Sequence, residues 1–263
     1  MADLTREQSV LTVQGTAIPR IGLGTWQLRG GDATEAVRDA LEIGYRHIDT
    51  ARAYGNEAQV GKGIAASGVD RGDVFLVTKI GPSDAEPARL KRAAEDSLRA
   101  LGTDYIDLLL LHWPTDAVPL EHTLQAFREL QEAGRIRHAG VSNFPAGMLE
   151  RALGIAPLLA DQVEFHPFLG QDALLALVAE RDLTLTAYSP LAQGKVGHDR
   201  TLQEIGAEHG KSAGQVALRW LIEQPNVTAV PKAASHERRA ENLDVFDFEL
   251  SDAERERIAA LRS

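Results

Sequence analysis

The sequence predicts an α/β fold: a (β/α)8 TIM barrel with an N-terminal β-hairpin in front of it and an extra C-terminal helix behind. Two observations predict it. Short apolar, β-branched runs alternate with longer amphipathic ones, and eight strand-like runs end near Trp26, Thr50, Lys79, His112, Ser142, Glu164, Tyr188 and Val230. Successive ends lie about 22 to 42 residues apart, room in most units for one helix and two short connections. Eight such units in series favour a closed parallel barrel over an open sheet.

The flanking elements are punctuated consistently. Leu11 to Val13 and Ala17 to Ile18 flank Gln14-Gly15, a hairpin-like turn that could close one end of the barrel. Asn56 follows a loop and reads as a helix N-cap. The run Glu86 to Leu101 has apolar residues near helical spacing and stops at Gly102, and Leu120 to Ala133 stops at Gly134. The long last interval holds a polar loop, Gln193 to Arg200, then two helical stretches broken around Gly210-Lys211-Ser212. Ser251-Asp252-Ala253-Glu254 is a capping-box pattern opening a terminal helix, Ser251 to Leu261. With no linker or low-complexity tract, one domain over residues 1–263 is expected.

Composition bounds the partners. With 44% hydrophobic and 25% charged residues, 263 residues can build a large core under a soluble surface. A net charge of −10 argues against nucleic acid or an anionic membrane, so an anionic ligand needs a local cationic site. The absence of cysteine removes disulfides, thiolate metal sites and cysteine nucleophiles. MADLTREQSV shows no secretory pattern, and runs such as Ile106 to Leu111 are far short of a membrane span. The cytoplasm is the expected location.

Three cofactor-like patterns fail on context. Gly61-Lys62-Gly63-Ile64-Ala65-Ala66 reads as GxGxxA, but Asn56 to Val60 before it looks helical where a dinucleotide fingerprint needs a strand. Gly22-Leu23-Gly24 lacks the third small residue. Gly210-Lys211-Ser212 resembles the end of a phosphate loop, but Ile205 stands where that motif needs glycine. His47-Ile48-Asp49 projects two side chains to one side of a strand, as a metal hydrolase requires, and His112 and His166 could add ligands. Against a metal, strand ends three, seven and eight offer Lys79, Tyr188 and Lys232, so none is expected.

Strand ends are where barrels of this kind keep their chemistry. Reading them yields Asp49, then Tyr54 five residues on, Lys79 and His112. Separately, each has a bland reading: a packed tyrosine, a solvated lysine, a structural Asp–Lys pair. Together they form a proton-transfer apparatus. Hydride transfer to a carbonyl leaves negative charge on oxygen, which must be stabilised and protonated. A tyrosine with an ordinary pKa near ~10 is a poor acid at neutral pH, and a neighbouring ammonium lowers that value. Lys79 could supply the ammonium, Asp49 hold it, and His112 donate a hydrogen bond to the carbonyl.

The motifs that carry these residues resemble the aldo-keto reductase family, in the manner of its short-loop, prokaryotic-type members. They are Ile18 to Trp26, Gly44 to Ala51, Tyr54-Gly55-Asn56-Glu57, Val77-Thr78-Lys79, Asp104 to Asp107 and Leu111-His112-Trp113-Pro114. Gly140 to Phe144, Gln162-Val163-Glu164, Ala187 to Leu191 and Pro231-Lys232 continue the resemblance over nearly the whole chain.

The resemblance implies a catalytic tetrad at Asp49, Tyr54, Lys79 and His112, with Tyr54 as general acid. It implies NADPH/NADP+ as cofactor. Ser142, Asn143 and Gln162 would hold the carboxamide and Tyr188 would stack on the ring, with Thr25 a further contact. Ser189 and Leu191 would line the pyrophosphate path, Lys232 and Arg238 meet the 2′-phosphate, and Glu241 and Asn242 meet the adenine. The bland reading of Arg238 and Arg239 is a solvated helix face, the commoner fate of paired arginines. Ala233 departs from relatives with serine there, removing a possible phosphate donor.

Trp26, Tyr54 and Trp113 would wall a mostly apolar substrate pocket. Short loops, and a chain that stops at Ser263 where longer relatives add a tail, predict a permissive pocket for small aldehydes, α-keto compounds and diketones. A monomer is expected from the resemblance. The competing reading is an NADPH-binding sensor or auxiliary subunit with little turnover.

Overall fold

The computed structural model describes residues 9–262. The reading of the first residues as lacking a secretory signal, and the two ends of the expected 1–263 domain, lie outside the described residues. A hairpin of β1 (Val10–Val13) and β2 (Thr16–Pro19) comes first, turning at Gln14 and Gly15 with φ of 47° and 73°. Two positive φ values in a two-residue loop match the twist of the flanking strands.

Eight parallel strands follow: β3 (Leu23–Gly24), β4 (His47–Asp49), β5 (Phe75–Ile80), β6 (Ile106–Leu111), β7 (Ile136–Ser142), β8 (Ala160–Glu164), β9 (Thr184–Tyr188) and β10 (Val227–Ala229). Neighbours in sequence are neighbours in the sheet. The edges meet through a parallel bridge between Ile21 and Ala229, with Gly22 N donating to Ala229 O at 2.9 Å and Gly24 N to Pro231 O at 3.0 Å. The fold is (β/α)8, as the strand–helix alternation predicts. β5 and β6 are buried along their whole length, as strands covered on both faces must be.

Leu11, Val13 and Ile18 of the hairpin pack against Phe75, Val77, Leu108, Leu110 and Leu159. The hairpin therefore plugs the end of the barrel away from the strand C-termini. The outward faces of the strands form the main core with the helices α1 (Gly30–Glu42), α2 (Glu57–Ala66), α3 (Pro87–Leu101), α4 (Leu120–Glu132), α5 (Ala146–Leu153), α6 (Asp172–Glu180), α7 (Arg200–His209) and α8 (Ala213–Glu223). Helices α9 (His236–Leu243) and α10 (Asp252–Ala259) complete the described chain. Among its helices none is long and apolar enough to cross a membrane.

The glycine motifs are packing and punctuation. Gly61 and Gly63 lie within α2, where a Cβ on Gly61 would come within 2.2 Å of Leu101 O and one on Gly63 within 2.7 Å of Thr34 O. Gly210 ends α7 in the left-handed region, and Ser212 opens α8 in a capping box with Gln215. Between them, Lys211 pairs with Asp244 at 2.8 Å and Asp247 at 2.7 Å. Ser251 and Glu254 form the expected capping box. Two local expectations need correction. The polar stretch after β9 is largely 3-10 turn, Ala192–His198. Asn56 stands at the N-cap position of α2 but makes no side-chain cap, because its amide is engaged by the tertiary structure.

Candidate active site

The strand ends bring Asp49, Tyr54, Lys79 and His112 together. Asp49 closes β4, Lys79 lies near the end of β5, His112 follows β6, and Tyr54 ends a short 3-10 turn, Arg52–Tyr54. Lys79 Nζ donates to Asp49 Oδ1 at 2.6 Å and to Thr50 O at 2.8 Å. It lies 5.3 Å from the centre of the Tyr54 ring. The Tyr54 and His112 rings meet edge-on, centres 6.0 Å apart. Gln162 Nε2, from the far side of the barrel, donates to Asp49 Oδ2 at 2.7 Å.

Burial sets the electrostatics. It raises the Tyr54 hydroxyl above its ordinary value; Lys79 pulls it down and Asp49 pushes it up, without reversing the outcome. The expectation that Lys79 lowers the Tyr54 pKa is thus correct as a local effect and overturned as a net one. Burial also opposes the Lys79 charge, but Asp49 and Tyr54 outweigh it and Lys79 holds its proton above the usual range. For His112, burial and then the Lys79 charge depress the imidazole from 6.5 to about 4, so it is neutral at neutral pH. A neutral imidazole carries one N–H and can donate to a carbonyl without transferring its proton.

The residues of a metal reading are engaged elsewhere. His47 places Nδ1 3.0 Å from Pro19 O and its ring edge-on to Phe75, and His166 meets Glu164 at 3.3 Å. Among the described residues no three His, Cys, Asp or Glu side chains gather to hold a metal ion.

A cavity of about 480 Å³ opens above the four residues, walled by Trp26, Tyr54, His112 and Trp113. Trp26 and Trp113 are 46% and 49% exposed, so both are rim and wall, not core. Glu164, Ala53 and Gln193 also line it, and the strand-end pattern alone did not single them out as site residues. A second cavity, about 700 Å³, adjoins the first through Trp26, Ser189, Gln193 and Lys232. A third, about 680 Å³, adjoins the second through Leu191, Gly194, Lys232 and Arg238 and reaches Glu241 and Asn242. The three adjoin in series, forming one extended groove from Tyr54 to α9.

Along its floor the side chains are already braced. Ser142 Oγ donates to Gln162 O at 2.7 Å, Asn143 Nδ2 to His112 O at 3.0 Å, and the Tyr188 hydroxyl to Asn143 Oδ1 at 2.9 Å. Thr25 is completely buried and lines none of the three cavities, and among the described residues its Oγ1 finds no hydrogen-bond partner. Lys232 and Arg238 are exposed along the groove. Arg239 differs from the solvated face its sequence neighbourhood suggests. It is buried, with Nε donating to Asp39 Oδ2 at 2.6 Å and Nη1 to Ala234 O at 2.8 Å, clasping α9 to α1. Ala233 lines the second cavity and offers it no side-chain donor.

The model of the aldo/keto reductase family matches residues 20–263. An aldo-keto reductase of Mycolicibacterium smegmatis is 44% identical over 253 residues, covering 95% of this chain and 91% of that protein. Methylglyoxal reductase DkgA of Escherichia coli is 38% identical over 255 residues, covering 94% and 90%. A crystal structure described as that of a 2,5-diketo-D-gluconic acid reductase B superposes with a TM-score of 0.95 at 41% identity, covering 98% of this chain and 94% of that one. The chain belongs to the aldo/keto reductase family.

Proposed function

We propose that this protein reduces aldehyde and ketone carbonyls to alcohols with NADPH, Tyr54 serving as general acid. The observation that carries the reading is the Lys79–Asp49 pair beneath Tyr54, with neutral His112 beside it, at one end of a long groove. A reduced nicotinamide bound in that groove would supply the hydride. His112 donates to the substrate carbonyl and orients it. Tyr54 gives its proton to the oxygen as negative charge develops there. Lys79, held charged by Asp49, stabilises the phenolate that remains.

Lys232 and Arg238 supply the positive charge that a 2′-phosphate needs on an acidic protein, which favours NADPH over NADH. Ser142, Asn143 and Gln162 would hold the carboxamide end, and Tyr188 would offer a ring to stack on. The size of the cavity fits small carbonyl compounds, in keeping with a relative named for methylglyoxal, and its two exposed indoles offer contact to those long enough to reach them. One chain carries every group this reading uses, so a monomer suffices.

NADPH oxidation by the purified, metal-free protein, assayed against a panel of aldehydes and ketones, tests the proposal. Turnover supports it. NADPH binding without turnover across the panel would instead describe a sensor.

A further inference from the structure

Asn56 precedes α2, yet its side chain turns into the protein and is 1% exposed. Nδ2 donates to Thr25 O at 2.9 Å and to Leu28 O at 3.0 Å, while Oδ1 accepts from Thr50 Oγ1 at 2.9 Å. Both carbonyls belong to one turn, closed by Leu28 N donating to Thr25 O at 3.1 Å. Gln27, its third residue, has φ of 66°, a position that glycine usually fills. A side chain persists in that region when its surroundings over-determine the backbone. Asn56 contributes two of the bonds that do so.

The turn carries Trp26 at the mouth of the cavity and Gln27 in the adjoining groove. Asn56 lies two residues after Tyr54. One buried amide therefore fastens the indole wall to the loop that bears the hydroxyl.

We propose that Asn56 is a positioning residue for carbonyl binding, locking the Thr25–Leu28 turn to the Tyr54 loop and so setting the distance from Trp26 to the Tyr54 hydroxyl. Its kinetic readout rests on the reductase reading above; its structural readout does not. The substrates it governs are those long enough to lie against the indole while their carbonyl meets Tyr54. Aromatic aldehydes qualify and glyoxal does not.

The test is a double-mutant cycle of Asn56→Ala and Trp26→Ala with 4-nitrobenzaldehyde and glyoxal as probes. Each single change should raise KM for 4-nitrobenzaldehyde about tenfold, the size of one lost aromatic contact. The double variant should be no worse than Trp26→Ala alone, and KM for glyoxal should move less than about twofold. Additive losses, or equal losses on both aldehydes, overturn the proposal.

If Asn56→Ala does not fold, Thr50→Val takes its place, and Thr50→Ser should restore KM. A Thr50→Val protein like the wild type toward both probes also overturns the proposal. The indole N–H resonance of Trp26 should shift or broaden in either variant whether or not the protein turns over, and an unmoved signal contradicts the lock. If the wild type reduces neither aldehyde, the wider panel decides the reductase reading and the indole signal alone decides this proposal.

Discussion

Gln162 donates its amide N–H to Asp49 Oδ2 at 2.7 Å, across the barrel from the Lys79 that occupies Oδ1. The two residues are 113 positions apart and both are buried. A carboxylate accepts only, so the amide nitrogen must face it. The residue assigned to the carboxamide therefore also completes the carboxylate that holds Lys79.

Gln162→Leu should therefore act on chemistry as well as on cofactor binding. Orphaning Asp49 Oδ2 weakens its hold on the Lys79 charge and leaves Tyr54 a poorer acid. At saturating NADPH, kcat should fall about 10- to 100-fold, the value of a hydrogen bond to a charged group. Ser142→Ala, whose hydroxyl meets Gln162 O and not Asp49, should weaken NADPH and spare kcat. Equal losses of kcat in the two variants would contradict the link.

Lys79→Met should destabilise the fold as well as stop reduction. It leaves Asp49 charged and unpaired in a site where the pair's side chains are only 1% and 4% exposed. Such a break costs about 3–5 kcal/mol, measured by urea denaturation. Adding Asp49→Asn should recover part of that stability and none of the activity.

The pH dependence has a definite sign. His112 is depressed from 6.5 to about 4, so the folded protein binds its proton less readily than the unfolded chain. The stability it contributes is fully present above 6.5 and is lost as pH falls through about 4. His112→Gln should flatten that acid limb. Reduction should show no His112 inflection between about pH 5 and 8. It should decline only above the ordinary tyrosine value of 10.0, because Tyr54 is raised, while alcohol oxidation, which needs the phenolate, should rise there. An inflection near 6.5 that disappears in His112→Gln would contradict the neutral imidazole.

Lys232→Ala should separate the two nicotinamide cofactors. Loss of one charge-assisted phosphate contact should weaken NADPH about tenfold or more and leave NADH nearly unchanged, read by fluorescence titration. Equal weakening of both would remove the 2′-phosphate assignment from this lysine.

The barrel was legible because its signals are local. Runs such as Ile106 to Leu111 have strand length, and Gly102 and the Ser251–Glu254 box mark helix ends where the structure has them. Strand ends then placed Asp49, Lys79 and His112 at one mouth. What the sequence withheld depends on barrel closure. Gln162 reaches Asp49, Arg239 reaches Asp39 and Asn56 reaches the Thr25 turn only after distant segments meet. At Asn56 a local capping preference lost to two tertiary carbonyls, and at Tyr54 a nearby ammonium lost to burial.

The proton-donor role of Tyr54 is tested most directly by single-turnover NADPH oxidation by Tyr54→Phe, beside its NADPH dissociation constant. Near-wild-type affinity is expected, since the change removes one hydroxyl, with hydride transfer to an aldehyde slowed at least about 100-fold by loss of the acid. Transfer at the wild-type rate would show that the proton comes from another group.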